Sequence, residues 1–324
     1  MRGEWTPDIL GAGFTQRTLD LGVDEDADPL VATLVRHLPN RVTAWMRPLR
    51  DVDVLYVHGW SDYFFQRDLA AAVTGLGARF YALDLHRYGR SLRPGQVPGY
   101  ADSLDEYDAD IAAAIAAIGP PRGRRLVLLG HSTGGLTLTL WAARHPGAAA
   151  AIVLNSPWLE LQLGPFARQA IAPLVAARAR FQPHGSQPVV DLGFYTRAQH
   201  ELGTLPDAPA GWRPARGFGT HPGWFSAVMA GHSAIAAGVD VGCPALVMLS
   251  ARSTSPLRWA DTMTSTDSVL VVEDIARAAL RIGSLVTVAR IDGAIHDVFL
   301  SAPAPRARAT AVLGDWLRGT LAPR

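Results

Sequence analysis

The sequence contains no lysine, so all 30 of its basic residues are arginines. This absence excludes a lysine Schiff base and the phosphate-binding lysine of a P-loop. The arginines are balanced by 29 acidic residues, which leaves a formal net charge of +1. Because the sequence also has no basic run or stripe, nucleic-acid binding has no electrostatic support.

Cysteine is almost absent as well. Cys243 is the only one, which excludes an internal disulfide and indicates a reducing compartment. It precedes an apolar run, so we interpret it as a small buried residue rather than a nucleophile. The sequence shows neither a signal-peptide pattern nor an apolar run that could span a bilayer. We therefore expect a soluble, cytoplasmic protein, and we expect no cofactor or metal because no histidine pair has metal-ligand spacing.

Short apolar runs, separated by longer helical patterns, dominate the remainder of the sequence. Six of them have the length and composition of buried strands: Val52–Val57, Phe80–Leu83, Leu126–Leu129, Ala151–Leu154, Ala245–Leu249 and Leu285–Ala289. Two earlier segments, Phe14–Leu21 and Pro29–His37, are predicted as additional strands at one edge. This alternation predicts an α/β fold with a mostly parallel, twisted sheet and helices on both faces.

One region interrupts the alternation. Residues 157–239 are rich in proline, glycine and aromatic residues and contain no clean strand pattern. We predict that they form an inserted cap over one end of the sheet, so that residues 1–156 and 240–324 form the core. The aromatic side chains of this region, Trp158, Trp212 and Trp224 among them, either build the cap's own small core or line an apolar substrate pocket.

The strand 126–129 runs directly into Gly130-His131-Ser132-Thr133-Gly134-Gly135, and a helical pattern follows. This strand–turn–helix arrangement is typical of a nucleophile held in a strained backbone, with its hydroxyl clear of the sheet. Side chains two residues before and after Ser132 would collide, which explains both glycines. A second Gly-His-Ser, at 231–233, lacks the preceding strand and the second glycine. We therefore predict Ser132 as the nucleophile.

Two further loops supply partners for Ser132. His58-Gly59-Trp60 follows the strand 52–57, and the backbone N–H groups of Trp60 and Thr133 could together bind an oxyanion. His58 could itself be a base, but we interpret it as a brace for its loop; it and His131 are also candidates for the pocket wall. His296 follows the last strand and a glycine-containing turn, so we predict it as the general base. Its neighbour Asp297 is predicted to be a helix cap or a surface partner.

From about Val54 onward, the order of these motifs resembles the α/β-hydrolase superfamily, in particular its branch of monoacylglycerol lipases, lysophospholipases and serine aminopeptidases. The resemblance implies oxyanion donors at Trp60 and Thr133. It also implies two glycines after Asp84, but Arg87 stands in the place of the first of them.

The resemblance further implies a catalytic acid directly after the strand 245–249, but the residues there, 250–253, include no acid. We therefore predict that the insertion 254–265 folds out and returns the chain, which makes Asp267 the acid, with Asp261 as second choice. The covering helix is expected to begin at Val269.

These parts predict a serine hydrolase that cleaves a carboxylic ester of a small acyl substrate through an acyl-enzyme on Ser132. Two alternatives stay open. An aminopeptidase-like amide hydrolase would need clustered acids for a substrate ammonium. The acids of residues 157–239 are instead scattered: Glu160, Asp191, Glu201 and Asp207. The other alternative is a non-catalytic small-molecule binder of the same fold.

Overall fold

The protein was analysed as a computed structural model, which describes residues 4–24, 27–119, 123–161, 165–185 and 191–321, with the backbone alone for 165–172. Within these ranges, nine strands form one sheet in the order β1-β2-β3-β5-β4-β6-β7-β8-β9. The strands are β1 (Thr6–Pro7), β2 (Phe14–Val23), β3 (Pro29–His37), β4 (Val52–Val57), β5 (Arg79–Asp84), β6 (Arg125–His131), β7 (Ala151–Asn155), β8 (Ala245–Ser250) and β9 (Val286–Ile291).

The sheet is parallel from β5 through β9 and antiparallel at the edge formed by β1, β2 and β3. The mostly parallel α/β sheet and the two additional edge strands predicted from the sequence are thus confirmed. Because parallel strands point the same way, the residues that follow β4, β6, β8 and β9 emerge at one edge of the sheet. His58, Ser132 and His296 are all carried by these loops.

Helices α1 (Arg67–Gly75) and α8 (Pro303–Thr320) cover one face of the sheet, and α2 (Tyr107–Ile118), α3 (Thr133–Arg144) and α7 (Val272–Ala279) cover the other. The remaining described helices are α4 (Pro165–Phe181), α5 (Phe194–Glu201) and α6 (Pro222–Ala237). Side chains alternate between the faces along each strand. In β4, Val54 and Tyr56 pack with α1 and α8, whereas Leu55 and Val57 pack with α2, α3 and α7. The sheet is therefore buried on both sides. None of the described helices is both long and apolar enough to cross a membrane.

The segment 157–239 lies between β7 and β8 and contains α4, α5 and α6, with no strand in its described part. It is not separate from the core throughout, because Val228 and Ile235 of α6 pack into the same hydrophobic cluster as α3. A division into a core and a cap remains a prediction, and we refer to this segment as the insertion.

A buried ion network fixes the carboxyl end of β5 and the loop that follows β4. The Arg90 guanidinium contacts Asp8 at 2.7 and 2.9 Å and Asp84 at 2.8 Å, and it donates to the Phe64 carbonyl. All three charged side chains are nearly inaccessible. The Asp84 carboxylate also accepts a hydrogen bond from the Phe64 N–H at 2.9 Å. The network therefore joins the end of β5 to the loop that follows β4.

We expect Arg90→Met to destabilise the protein by about 3–5 kcal/mol, because it leaves two buried carboxylates without their cation. Arg252→Met is the matched control, since Arg252 pairs with Asp292 in an exposed position and such a pair contributes about 0–1 kcal/mol. Denaturant unfolding of both variants measures the difference. Equal losses in the two variants would contradict a structural role for the buried network.

Candidate active site

Ser132 lies at the apex of a sharp turn between β6 and α3, with φ +50° and ψ −118°. This conformation, with its positive φ, is uncommon for a residue with a side chain. Close backbone approaches explain the flanking glycines: a Cβ on Gly130 would lie 2.7 Å from the Gly134 carbonyl oxygen, and one on Gly134 would lie 2.6 Å from the Val57 oxygen. The collision predicted from the sequence is thus observed, and it involves backbone rather than side chains.

The strained turn is held by the neighbouring strand. The Ser132 N–H donates to the Asn155 carbonyl at 3.0 Å, and the Ser132 carbonyl accepts from the Trp158 N–H at 3.0 Å. Both partners belong to the end of β7 and the residues just after it. Helix α3 begins at Thr133, so the first free N–H groups of a helix lie directly beside the Ser132 side chain.

The loop after β4 packs directly against this turn. A Cβ on Gly59 would lie 3.0 Å from the Cβ of Ser132, so a side chain at this position would crowd the turn. Ser61 has φ +50°, and its hydroxyl accepts a hydrogen bond from the Phe218 N–H of the insertion at 3.0 Å. The backbone around Trp60 is therefore close to Ser132 and is fixed from the other side by the insertion.

His296 and Asp267 form a buried pair. The Nδ1 atom of His296 lies 2.9 Å from Oδ2 of Asp267, and both side chains are almost inaccessible. The other oxygen of Asp267 accepts hydrogen bonds from the Val269 and Leu270 N–H groups at 2.7 and 2.8 Å. The sequence predicted that these two side chains meet, whereas their roles as catalytic base and acid stay predictions.

The loop carrying Asp267 returns to the end of β8. The Asp267 N–H donates to the Arg252 carbonyl at 2.9 Å, and the Thr254 N–H donates to the Asp267 carbonyl at 2.8 Å. Asp261, the second choice for the acid, is exposed and accepts from the Trp259 indole. The prediction that the covering helix begins at Val269 is wrong: α7 begins at Val272, because the preceding turn directs its N–H groups at Asp267.

Asp297 was predicted as a helix cap or a surface partner, and the structure corrects the second part. Its carboxylate does cap the short turn that follows, accepting from the Phe299 N–H at 2.9 Å. However, the residue is 0% exposed. It also accepts from the side-chain amides of Asn155 and Gln66, at 2.7 and 3.1 Å.

Ser132 and His296 line one cavity of about 570 Å³. Most of its wall is aromatic or aliphatic, and the Trp60 and Trp224 rings lie 3.6 Å apart between centroids, with Trp158 next to them. The apolar wall includes Trp60, Trp158, Leu161, Phe194, Phe218, Trp224, Phe225 and Leu270. The insertion contributes more than half of these side chains.

Two residues predicted for the pocket wall lie elsewhere. His58 is buried beneath its loop: Nδ1 donates to the Gly59 carbonyl at 2.8 Å, and Nε2 accepts from the Leu85 N–H at 3.2 Å. Burial lowers the pKa of His58, so the ring is a neutral brace of its loop, as we interpreted it from the sequence. Trp212 packs edge-on against Tyr63, with ring centroids 5.3 Å apart, in a separate small cluster.

His131 does line the cavity. Its Nδ1 donates to the Asn155 carbonyl at 3.1 Å, and its ring centroid lies 4.9 Å from that of His296. Burial lowers the pKa of His131, and the nearby His296 ring lowers it further. A neutral imidazole therefore stands beside the His296 ring.

The sequence did not reveal an ion pair in the cavity wall. Asp62, two residues after Trp60, pairs with Arg213 of the insertion at 3.0 Å, and both side chains are largely buried. Burial raises the pKa of the Asp62 carboxyl, and the Arg213 charge opposes this shift. Asp62 lies two residues after the His-Gly-Trp motif, which was the available signal, but a partner 151 residues away cannot be inferred from one sequence.

Arg213 also begins a chain of hydrogen bonds through the insertion. It donates to the Gln199 side chain, whose amide donates to the Tyr195 hydroxyl at 3.2 Å. That hydroxyl accepts from the Asp297 N–H at 3.2 Å. The insertion thus connects the loop carrying Trp60 to the loop carrying His296.

Other reactive groups lie apart from this cavity. Burial raises the pKa of the Cys243 thiol to about 11, which leaves it a poor nucleophile at neutral pH. Among the described residues, no group of three or more His, Cys, Asp or Glu side chains is arranged to hold a metal ion. The second Gly-His-Ser, at 231–233, lies inside α6.

A serine on a strand–turn–helix elbow and a buried His–Asp pair, above the same edge of a mostly parallel sheet, define a hydrolase of the α/β-hydrolase fold. A family model described as serine aminopeptidase, S33, matches residues 50–211, and the chain belongs to this family. A monoacylglycerol lipase from Paleococcus ferrophilus has a similar structure, with a TM-score of 0.64 and 20% identity over 90% of this chain and 99% of that one.

Curated relatives match over shorter stretches. A probable esterase, PIR7A, from Oryza sativa subsp. indica is 39% identical over 107 residues, 31% of this chain and 36% of the relative. A monoacylglycerol lipase from Mycolicibacterium smegmatis is 31% identical over 130 residues, 39% of this chain and 43% of the relative. The matched parts thus span about a third to two fifths of these relatives.

We expect Asp267→Asn to lower kcat for hydrolysis by roughly 10²–10⁴-fold, because an amide cannot hold the imidazole in the same tautomer or stabilise its charged form. Asp261→Asn, the matched control in the same connection between β8 and α7, should change kcat by less than about tenfold. Steady-state kinetics on any ester that the wild type turns over decides between them. The reverse ranking would remove Asp267 from the site.

Proposed function

We propose that this protein is a serine esterase that cleaves carboxylic esters through an acyl-enzyme on Ser132. The observation that supports the proposal is the shared cavity, which is lined by both Ser132 and the Asp267-paired His296. No cofactor or metal is required for this reaction.

In the proposed reaction, His296 is the general base. Its Nδ1–H donates to Asp267, which leaves Nε2 to accept the Ser132 proton. The Ser132 oxygen then attacks the ester carbonyl and forms a tetrahedral intermediate. His296 returns the proton to the leaving alcohol, and the acyl-enzyme remains. Water activated by the same imidazole attacks the acyl carbon and releases the carboxylic acid.

The N–H groups of Trp60 and Thr133 are the proposed donors to the oxyanion. The Thr133 N–H is at the beginning of α3, where the helix leaves its first N–H groups unpaired. The close packing of Gly59 on Ser132 supports the placement of the Trp60 N–H near the same oxygen. Two such donors typically supply the largest electrostatic contribution to acyl transfer.

Residues 157–239 are proposed to act as a cap that selects the acyl group. The aromatic side chains that they contribute to the cavity favour a medium-length or aromatic acyl chain over a charged one. The acids near the cavity offer little to a substrate ammonium: Asp62 is paired with Arg213, and Asp191 is exposed and accepts from the Gly193 N–H. An aminopeptidase-like amide hydrolase is therefore the second candidate.

We expect Ser132→Ala to lower kcat by about 10⁴-fold or more, with an unchanged fold, because the nucleophile forms the covalent intermediate. His296→Ala should lose activity to a similar degree, since the two residues act as one unit. A fluorophosphonate probe should label the wild type at Ser132 and leave Ser132→Ala unlabelled, as read by intact mass and peptide mapping. An unlabelled, inactive wild type would instead favour a non-catalytic binder.

We expect esters of medium-length or aromatic acids to have higher kcat/KM than aminoacyl amides. Trp224→Leu should lower kcat/KM for aromatic acyl esters by roughly tenfold relative to acetyl esters, since it removes part of the aromatic wall. Trp316→Leu, on α8 at the opposite face of the sheet, is the matched control and should leave this ratio unchanged. If aminoacyl amides were the best substrates, the second candidate would replace the first.

A further inference from the structure

One buried charged group near the cavity has no role in the proposed reaction. The Asp297 carboxylate is fully buried, and its three described donors are the Phe299 N–H and the side-chain amides of Asn155 and Gln66. These donors are all neutral. A buried carboxylate without a cation is costly, whereas a neutral Asn or Ser could cap the same turn. The cost indicates that the charge itself has a function.

The position of Asp297 suggests which group uses the charge. Asp297 follows His296 in the chain, and the centroid of the neutral His131 imidazole lies 4.9 Å from that of the His296 ring. When His296 accepts a proton, a positive charge forms in this buried space. The charge of Asp297 opposes the lowering of the His131 pKa by burial, so it acts on the imidazole that lies beside the His296 ring.

The hydrogen bonds of Asp297 also fix the loop mechanically. Asn155, at the end of β7, donates to Asp297 at 2.7 Å and accepts from the Val298 N–H at 3.2 Å. Gln66, just before α1, holds the other carboxylate oxygen. The backbone that directly follows His296 in the chain is thus tied to the end of β7. The Asn155 carbonyl, also at the end of β7, accepts from the Ser132 N–H.

We propose that Asp297 is a positioning residue of the catalytic loop, whose buried charge stabilises the protonated form of His296 in the transition state alongside Asp267. This inference rests on the proposed function. The groups that face His296 are Asp267 on the loop after β8, His131 on β6 and the Tyr195 ring on α5. Of these three groups, only Asp267 is negatively charged, as Asp297 is.

The test is the pH dependence of kcat/KM for Asp297→Asn. We expect kcat/KM near neutral pH to fall about ten- to a hundredfold, by analogy with the partners that orient metal-ligating histidines. The acid limb of the profile should also move to lower pH by roughly half a unit or more, because removal of a nearby negative charge disfavours the protonated base. Asp292→Asn, an exposed position on the same loop, should leave both unchanged.

A double variant separates the charge from the hydrogen bonds. In Asp297→Asn with Gln66→Glu, the new amide donates to the new carboxylate, which can also keep the Phe65 N–H contact of Gln66. The negative charge then stays within hydrogen-bond distance of its original place. We expect the double variant to move the acid limb back toward the wild-type position and to recover at least part of kcat/KM. It also serves as the readout if Asp297→Asn alone does not fold.

The inference is overturned if Asp297→Asn keeps the wild-type acid limb and rate, or if the folded double variant restores neither. Its failure is distinct from failure of the proposed function. A wild type that is labelled at Ser132 and hydrolyses esters, together with an unaffected Asp297→Asn, removes only the role of Asp297. A wild type that is neither labelled nor active removes both.

Discussion

The close backbone approach at the Ser132 elbow is the constraint on which the site depends. The turn brings the beginning of α3 against the end of β4, so closely that Gly134 cannot carry a Cβ, and Gly59 then brings the next loop against Ser132. These contacts require a buried parallel sheet whose strands end at the same level. The sheet therefore determines where the Ser132 hydroxyl and the nearby N–H groups lie, before any polar contact is made.

Around this elbow the protein buries several charges, of which only some are compensated by an ion pair with an arginine. Arg90 neutralises Asp8 and Asp84, and Arg213 neutralises Asp62. Asp267 and Asp297 have no arginine partner among their described contacts. Asp267 contacts His296 instead, and Asp297 follows His296 in the chain and accepts from the Asn155 amide. Ion pairs thus secure the loops beside the site, whereas the uncompensated carboxylates lie where a positive charge forms only during the proposed reaction.

The sequence predicted those parts of the molecule that local pattern determines. Apolar runs of strand length gave the sheet, and the elbow was readable because its glycines, serine and flanking strand are contiguous. The roles of Asp62 and Asp297 were not readable, because their partners are distant: Arg213 is 151 positions from Asp62, and Gln66 is 231 from Asp297. Burial of a carboxylate depends on such partners, and a single sequence shows residue types without showing which of them meet.

Asp267 shows that the place of an acid in space matters more than its place in the sequence. The chain leaves β8, runs through the polar segment 254–265 and returns to the strand end. The Thr254 and Thr266 hydroxyls are hydrogen-bonded at 2.7 Å, and Ser253 and Asp267 form a β-bridge. The two ends of the segment 254–265 therefore lie together. The entropic cost of bringing such ends together grows only slowly with the length of the segment. Asp267 therefore lies beside the end of β8, although it is not next to β8 in the sequence. The hydrogen bonds between Asp267 and the residues just after β8 hold it there.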